Sequence, residues 1–174
     1  MRHSMRPWAE LVPLSAVPGV YSSYAWNNVG LTLWFGPATL ESLETFEATC
    51  RKVAADRPVR WSSVHIMVPG NSGLPSAEAR AALARMTREM ADTTAAIAVV
   101  IPGTGFWASA IRGLVTAVHM LGSRDFELKI FGNVEEVAQW LPEAQLQRSG
   151  VEISPAQLLD ALRQLQRTME SAAA

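Results

Sequence analysis

Few residues in this chain combine a reactive type with a useful spacing. Ser72 stands in the turn-rich run Pro69-Gly-Asn-Ser-Gly-Leu-Pro75, just ahead of a helix start at Ser76. A phosphoryl group there would meet the positive end of that helix and add about −1.5 to −2 charges to a docking surface. The same residue types also simply build a turn. Gly103, Thr104 and Gly105 lie between an apolar run and a helix, where backbone amides can hold an anion or ligand. This Gly-x-Gly lacks the third glycine, the P-loop lysine and the downstream acid of a nucleotide site, so a tight turn accounts for it equally. His65 and His119 are the histidines of the folded region. Neither has an acid near it in sequence, nor a serine or cysteine in a Gly-x-Ser-x-Gly setting. No His-x-x-x-His pair or carboxylate cluster has the spacing of a metal site. The single cysteine, Cys50, cannot form an internal disulfide and sits among Phe46, Val53 and Ala54 as a small buried residue. These residues point to no catalytic group, no metal and no cofactor.

Composition narrows the partners. The net charge is −1, with acids and bases interspersed, so nothing resembles the basic stripe of a nucleic-acid or anionic-membrane binder. Charged residues are 18% against about 25% in an average domain, while hydrophobic residues reach 49%, enough to fold and to leave apolar surface for a partner. The longest apolar runs, such as Ala95–Ile101, are too short to span a bilayer. Residues 1–15 have no apolar core of the signal-peptide kind, and a cytoplasmic location is expected.

The elements that must position these residues follow from periodicity and punctuation. Residues 1–19, with three prolines, read as an irregular arm. Tyr21–Trp26 and Val29–Phe35 are strand-like runs joined by Asn27-Asn28, a pair suited to a tight hairpin turn. Thr39 caps a helix to about Ala55, with Leu40, Leu43, Phe46, Cys50 and Val53 on one side. Trp61–Val68 is a third strand. Ser76 caps a second helix whose buried line is Ala79, Leu83, Met86 and Met90, with Arg80, Arg85 and Arg88 on its polar side. Ala95–Ile101 is apolar on both faces, as in a central strand. A third helix follows over Phe106–Leu121, then a fifth strand over Phe126–Phe131. Asn133 and Glu136 form a capping box for a short helix ending at Leu141-Pro142. Ser154-Pro155 starts a C-terminal amphipathic helix with the stripe Leu158, Leu162, Leu165 and Met169.

This order predicts an α/β domain over residues 20–141, followed by a linker and C-terminal helix over 142–174. Its sheet is mixed, mainly parallel and five-stranded, with an N-terminal hairpin. Leu31, Leu33 and Phe35 share a face, as do Val64, Ile66 and Val68, and Leu128 and Ile130. The helices are therefore expected mostly on that aliphatic face. Trp34, His65 and Met67 are left on an open, mixed face. Burying a large side chain is worth roughly 1.5–3 kcal/mol, so that face needs a cover: the C-terminal helix, a second subunit or an apolar ligand.

A hairpin followed by alternating helices and strands, with helices on one side, resembles the STAS domain of anti-sigma-factor antagonists. It is most similar to the broader SpoIIAA-like group, which shares its architecture with lipid-binding CRAL-TRIO domains. The segment Phe131-Gly-Asn-Val-Glu-Glu-Val-Ala-Gln-Trp-Leu141 is similar to that family's closing strand, capped helix and A-x-W-L ending, and Val99-Val-Ile-Pro-Gly-Thr-Gly-Phe106 also fits. Phosphorylatable members carry an Asp-Ser-Ser-Gly-like turn where this chain has Asn71-Ser72-Gly73, without the aspartate and two residues further from the helix cap. The resemblance implies a non-enzymatic regulatory module that binds a protein partner or a second copy of itself. The alternatives are a binding module for a small apolar or lipid-like ligand and, lower in rank, a small hydrolase-like enzyme using His65, His119, Ser72 and the glycine turn.

Overall fold

The computed structural model describes residues 10–56, 59–69, 73–121 and 126–173. Its sheet has six strands rather than five, in the spatial order β1-β2-β3-β4-β5-β6. The hairpin forms where the asparagine pair predicts it. β2 (Tyr21–Trp26) and β3 (Val29–Trp34) pair antiparallel from Trp26 opposite Val29, and Asn27 takes the positive φ of 50° that the turn requires. β4 (Trp61–Met67), β5 (Thr94–Val100) and β6 (Glu127–Phe131) then add in parallel, each after a helix.

The extra strand, β1 (Val12–Val17), comes from the stretch read as an irregular arm and pairs antiparallel with β2. Its Pro13 lies at the sheet edge, beside a register shift between Pro13 and Ser15. A missing backbone donor is tolerated there, so the prolines were a false sign of irregularity.

Helices α1 (Leu40–Asp56), α2 (Ala77–Glu89) and α3 (Phe106–Leu121) are the crossovers between the parallel strands. A single turn of 3-10 helix, Ala91–Thr93, leads into β5. Ser76 caps α2 by accepting from the Ala79 amide at 3.1 Å. Asn133 caps α4 (Val134–Ser149) by accepting from the Glu136 amide at 2.9 Å, and its own amide nitrogen donates to the Glu136 carboxylate. That helix does not stop at Pro142. It runs on to a left-handed Gly150, because Leu141, Ala144 and Gln145 are all buried by continuing it. α5 (Pro155–Ala173) closes the chain with Leu158, Leu162 and Leu165 fully buried; the Met169 side chain lies outside the described residues.

The expected lopsided sheet is not what forms. Helices cover both faces, giving three layers. The aliphatic face, Leu31, Leu33, Val64 and Ile66, lies under α4 and α5 and shares one core with Val137, Leu141, Leu158 and Leu162. The crossovers α1 to α3 pack instead on the mixed face, with Trp34 and Met67 in their cores. All parallel connections step the same way across the sheet, so right-handedness puts all three helices on one side. Which side that is depends on the direction of stepping, not on which face is greasier. The reading of β6 fails on register. Leu128 and Ile130 pair with Ile97 and Val99, which places them on the face of His65 rather than that of Val64. A free Trp34–His65–Met67 face therefore does not exist: Trp34 is buried beneath α1.

Candidate functional site: a chambered apolar cavity on the crossover face

α1 and α2 rest on the sheet through an aromatic cluster. Tyr21, Trp34 and Phe46 meet with ring centroids 5.2–5.7 Å apart, and the His65 ring lies 5.9 Å from Phe46. Around this cluster the crossover layer does not close down on the strands. It leaves a chamber of about 110 Å³ toward β2 and the start of β4, and a second of about 170 Å³ toward β6 and α3. Phe46, His65, Met86, Thr87 and Ile97 line both, so the chambers share a wall. Protein interiors rarely leave gaps much larger than a water molecule, which makes this space notable.

The larger chamber is bounded by Trp34, Met67, Val99, Trp107, Ile111 and Leu128, among others, and is overwhelmingly apolar. The smaller one has a polar floor supplied by three neighbouring strands. Ser23 of β2 faces Thr32 of β3, which faces His65 of β4, while Gly30 faces Ser63. Among the described residues no Lys, Arg, Asp or Glu lines either chamber. Gly30 contributes an absence of bulk: a Cβ built there would meet only the Ser62 carbonyl oxygen, at 4.0 Å.

The hydrogen bonds of the floor have a direction. Trp34 Nε1–H donates to His65 Nδ1 at 3.2 Å, and His65 Nε2 lies 3.1 Å from Ser63 Oγ. An indole nitrogen can only donate, so Nδ1 must accept. The proton of the neutral ring then sits on Nε2, aimed at the Ser63 oxygen. His65 lies beneath the helix layer yet keeps some accessible surface, because it forms cavity wall. Burial pushes its imidazole down to about 4, so the ring is neutral at ordinary pH. In a Ser-His hydrolase, Nδ1–H donates to a carboxylate while the Nε2 lone pair faces the hydroxyl. Here both nitrogens have the opposite roles, and Ser63 receives a hydrogen bond instead of losing a proton. Thr32 Oγ1 donates to Ser23 Oγ at 3.3 Å. The hydroxyls of Thr87 and Thr94, which also line the chambers, donate to the Leu83 and Met90 carbonyls.

The residues singled out from sequence fall in different places. Trp34, His65 and Met67 are brought together, but as cavity wall and not as exposed surface. Cys50 lines the smaller chamber, and burial, with a lesser push from Glu47, raises its thiol to about 12, well away from reactivity. Gly103, Thr104 and Gly105 form an exposed turn outside both chambers; the Arg112 guanidinium donates to the Ile101 and Gly103 carbonyls at 3.0 Å each. His119 stacks obliquely on Phe126 at 5.7 Å and lines neither chamber. Ser72 lies outside the described residues. Among the described residues no three His, Cys, Asp or Glu side chains could hold a metal ion, and no helix is long and apolar enough to cross a membrane.

Sequence reasoning missed Ser23, Ser63 and Gly30 as site residues. The available signal was an isolated glycine within a strand, opposite a Ser-x-His alternation, which marks a place where side-chain volume is withheld. No protein-family model and no curated protein sequence matches this chain.

Proposed function

We propose that this protein binds a small apolar or lipid-like molecule between the sheet and the α1–α3 layer. The observation that carries the reading is the pair of adjoining chambers, about 110 and 170 Å³, walled by uncharged and largely apolar side chains. A dry apolar cavity of about 150 Å³ is already large enough to admit benzene. Native mass spectrometry of the purified protein, followed by calorimetric titration with ethylbenzene, tests this directly. A co-purifying apolar molecule or saturable uptake is expected, and Ile97→Phe, which narrows both chambers, should abolish it. A chain that carries nothing and takes up no ethylbenzene would defeat the proposal.

The regulatory, SpoIIAA-like reading draws support from a different observation. Phe106 and Met120 on α3 are 90% and 80% exposed, large apolar groups that fit contact with a second copy of the chain. Sedimentation velocity decides it. Self-association that is lost in Phe106→Ser is expected on that reading, and a strict monomer with both residues intact counts against it.

A further inference from the structure

We infer that the ligand is an uncharged apolar molecule carrying one hydrogen-bond acceptor, which docks on the Ser63 hydroxyl in the smaller chamber. This rests on the binding-module reading above and adds the ligand's chemistry to it.

The argument begins with the donor that cannot be reversed. Trp34 donates to His65, His65 donates through Nε2 to Ser63, and the Ser63 O–H is the next donor in line. Among the described residues the Ser63 hydroxyl makes no other hydrogen bond, so its proton remains available on the cavity floor. Chained donors polarise one another, which strengthens the last one in the row. The complementary group is therefore an acceptor such as a ketone, ester, ether or aldehyde oxygen. Of the other hydroxyls on this wall, Thr87 and Thr94 have their protons on helix carbonyls, and Ser23 ends only a single-step chain from Thr32.

Charge excludes the ionised alternatives. A carboxylate or phosphate placed against Ser63 would be desolvated with no Lys or Arg among the described wall residues to balance it. An ammonium group would meet the donor end of the chain and no carboxylate. Gly30 supplies the room: across from Ser63, it leaves open the space that any other side chain would fill. The rest of the ligand extends along the apolar wall past Met86, whose flexible thioether lines both chambers.

Three probes of similar size separate the possibilities: acetophenone, ethylbenzene and benzoate, titrated calorimetrically into the full chain. Acetophenone should bind about tenfold more tightly than ethylbenzene, the scale of one net hydrogen bond, and benzoate more weakly than both. Ser63→Ala should erase the acetophenone preference and Ser63→Thr should restore it. Gly30→Val, whose Cβ meets only the Ser62 carbonyl oxygen at 4.0 Å, should block acetophenone while the protein still unfolds cooperatively. Nitrogen-15 NMR of the His65 ring gives an independent readout, with the proton expected on Nε2. Equal binding of acetophenone and ethylbenzene overturns the acceptor inference while leaving the apolar site standing. Benzoate binding best overturns the neutrality, and a proton on Nδ1 overturns the direction of the chain. If neither neutral probe binds, the parent reading falls and this inference with it.

Discussion

On one face of the sheet, Leu141 of α4 and Leu158, Leu162 and Leu165 of α5 are fully buried against Leu31, Val64 and Ala98, themselves fully buried. On the other face, α1 to α3 stand over Trp34, His65, Ile97 and Val99 with two chambers left between. Both layers are built from helices of ordinary length on the same strands, so the contrast lies in the side chains. The α4–α5 side interdigitates branched aliphatic residues, while the α1–α3 side props its helices on an aromatic cluster and sets small and polar residues, Gly30, Ser23 and Ser63, beneath them. Close packing gives one face its stability, and the unfilled volume of the other is available to a ligand.

The sharpest test of this contrast is a matched pair of truncations. Leu162→Ala should cost about 2–5 kcal/mol, as expected for emptying a sealed core site. Ile97→Ala should cost less than about 2 kcal/mol, because its side chain already borders empty space and has fewer contacts to lose. Chemical denaturation gives both values, and equal losses would break the comparison.

Acid should weaken the chambered face specifically. His65 is held neutral in the folded protein down to about 4, whereas the unfolded chain takes up its proton near the ordinary value of 6.5. Between those values the unfolded state binds more protons, so stability is full above about 6.5 and falls as pH drops toward 4, by roughly 3 kcal/mol at most. Glu47 is held below its usual value chiefly by its hydrogen bond to Arg51. Denaturation midpoints across that window should show the slope in the native protein and a flatter one in His65→Gln.

A polar bridge secures the packed side. Ser62 donates to the buried Gln145 side-chain oxygen, and Gln145 Nε2 donates to Ser149 Oγ at 2.7 Å, tying β4 to α4. Gln145→Ala strands the Ser62 hydroxyl and should cost about 1–3 kcal/mol by the same measurement.

The finest test uses adjacent residues on opposite faces. Ala98→Leu intrudes on the closed core and should cost about 1–3 kcal/mol. Ile97→Phe enters open volume and should change stability by less than about 1 kcal/mol while excluding ethylbenzene from the cavity. A reversed order of the two would mean that the chambers close in solution.

Much of the fold was legible because its signals are local. The Asn27-Asn28 turn, the Ser76 and Asn133 caps, the two-sided apolar run of β5 and the Leu158–Leu162–Leu165 stripe each follow from residues within a few positions of one another. β1 was hidden because Pro13 argues against a strand unless the segment lies at an edge, and edges are defined by the assembled sheet. The site was legible only in fragments. Trp34, His65 and Met67 were rightly grouped on one face, but what covers that face was misread, and the one signal of their partners, the isolated Gly30 opposite the Ser63-x-His65 alternation, has meaning only once β3 and β4 are paired.

From β2 onward, the amino-acid order alone settled the succession of helices and strands, the alternation of each strand's side chains and the absence of charge from the strands that became the cavity floor, since these depend on neighbours along the chain. Only the tertiary structure decided which helices lie on which face, and hence that a tryptophan, a histidine and a serine form one directed row of hydrogen bonds at the bottom of a cavity. That choice rests on the handedness and direction of the crossovers across the whole sheet, a property that no single segment contains.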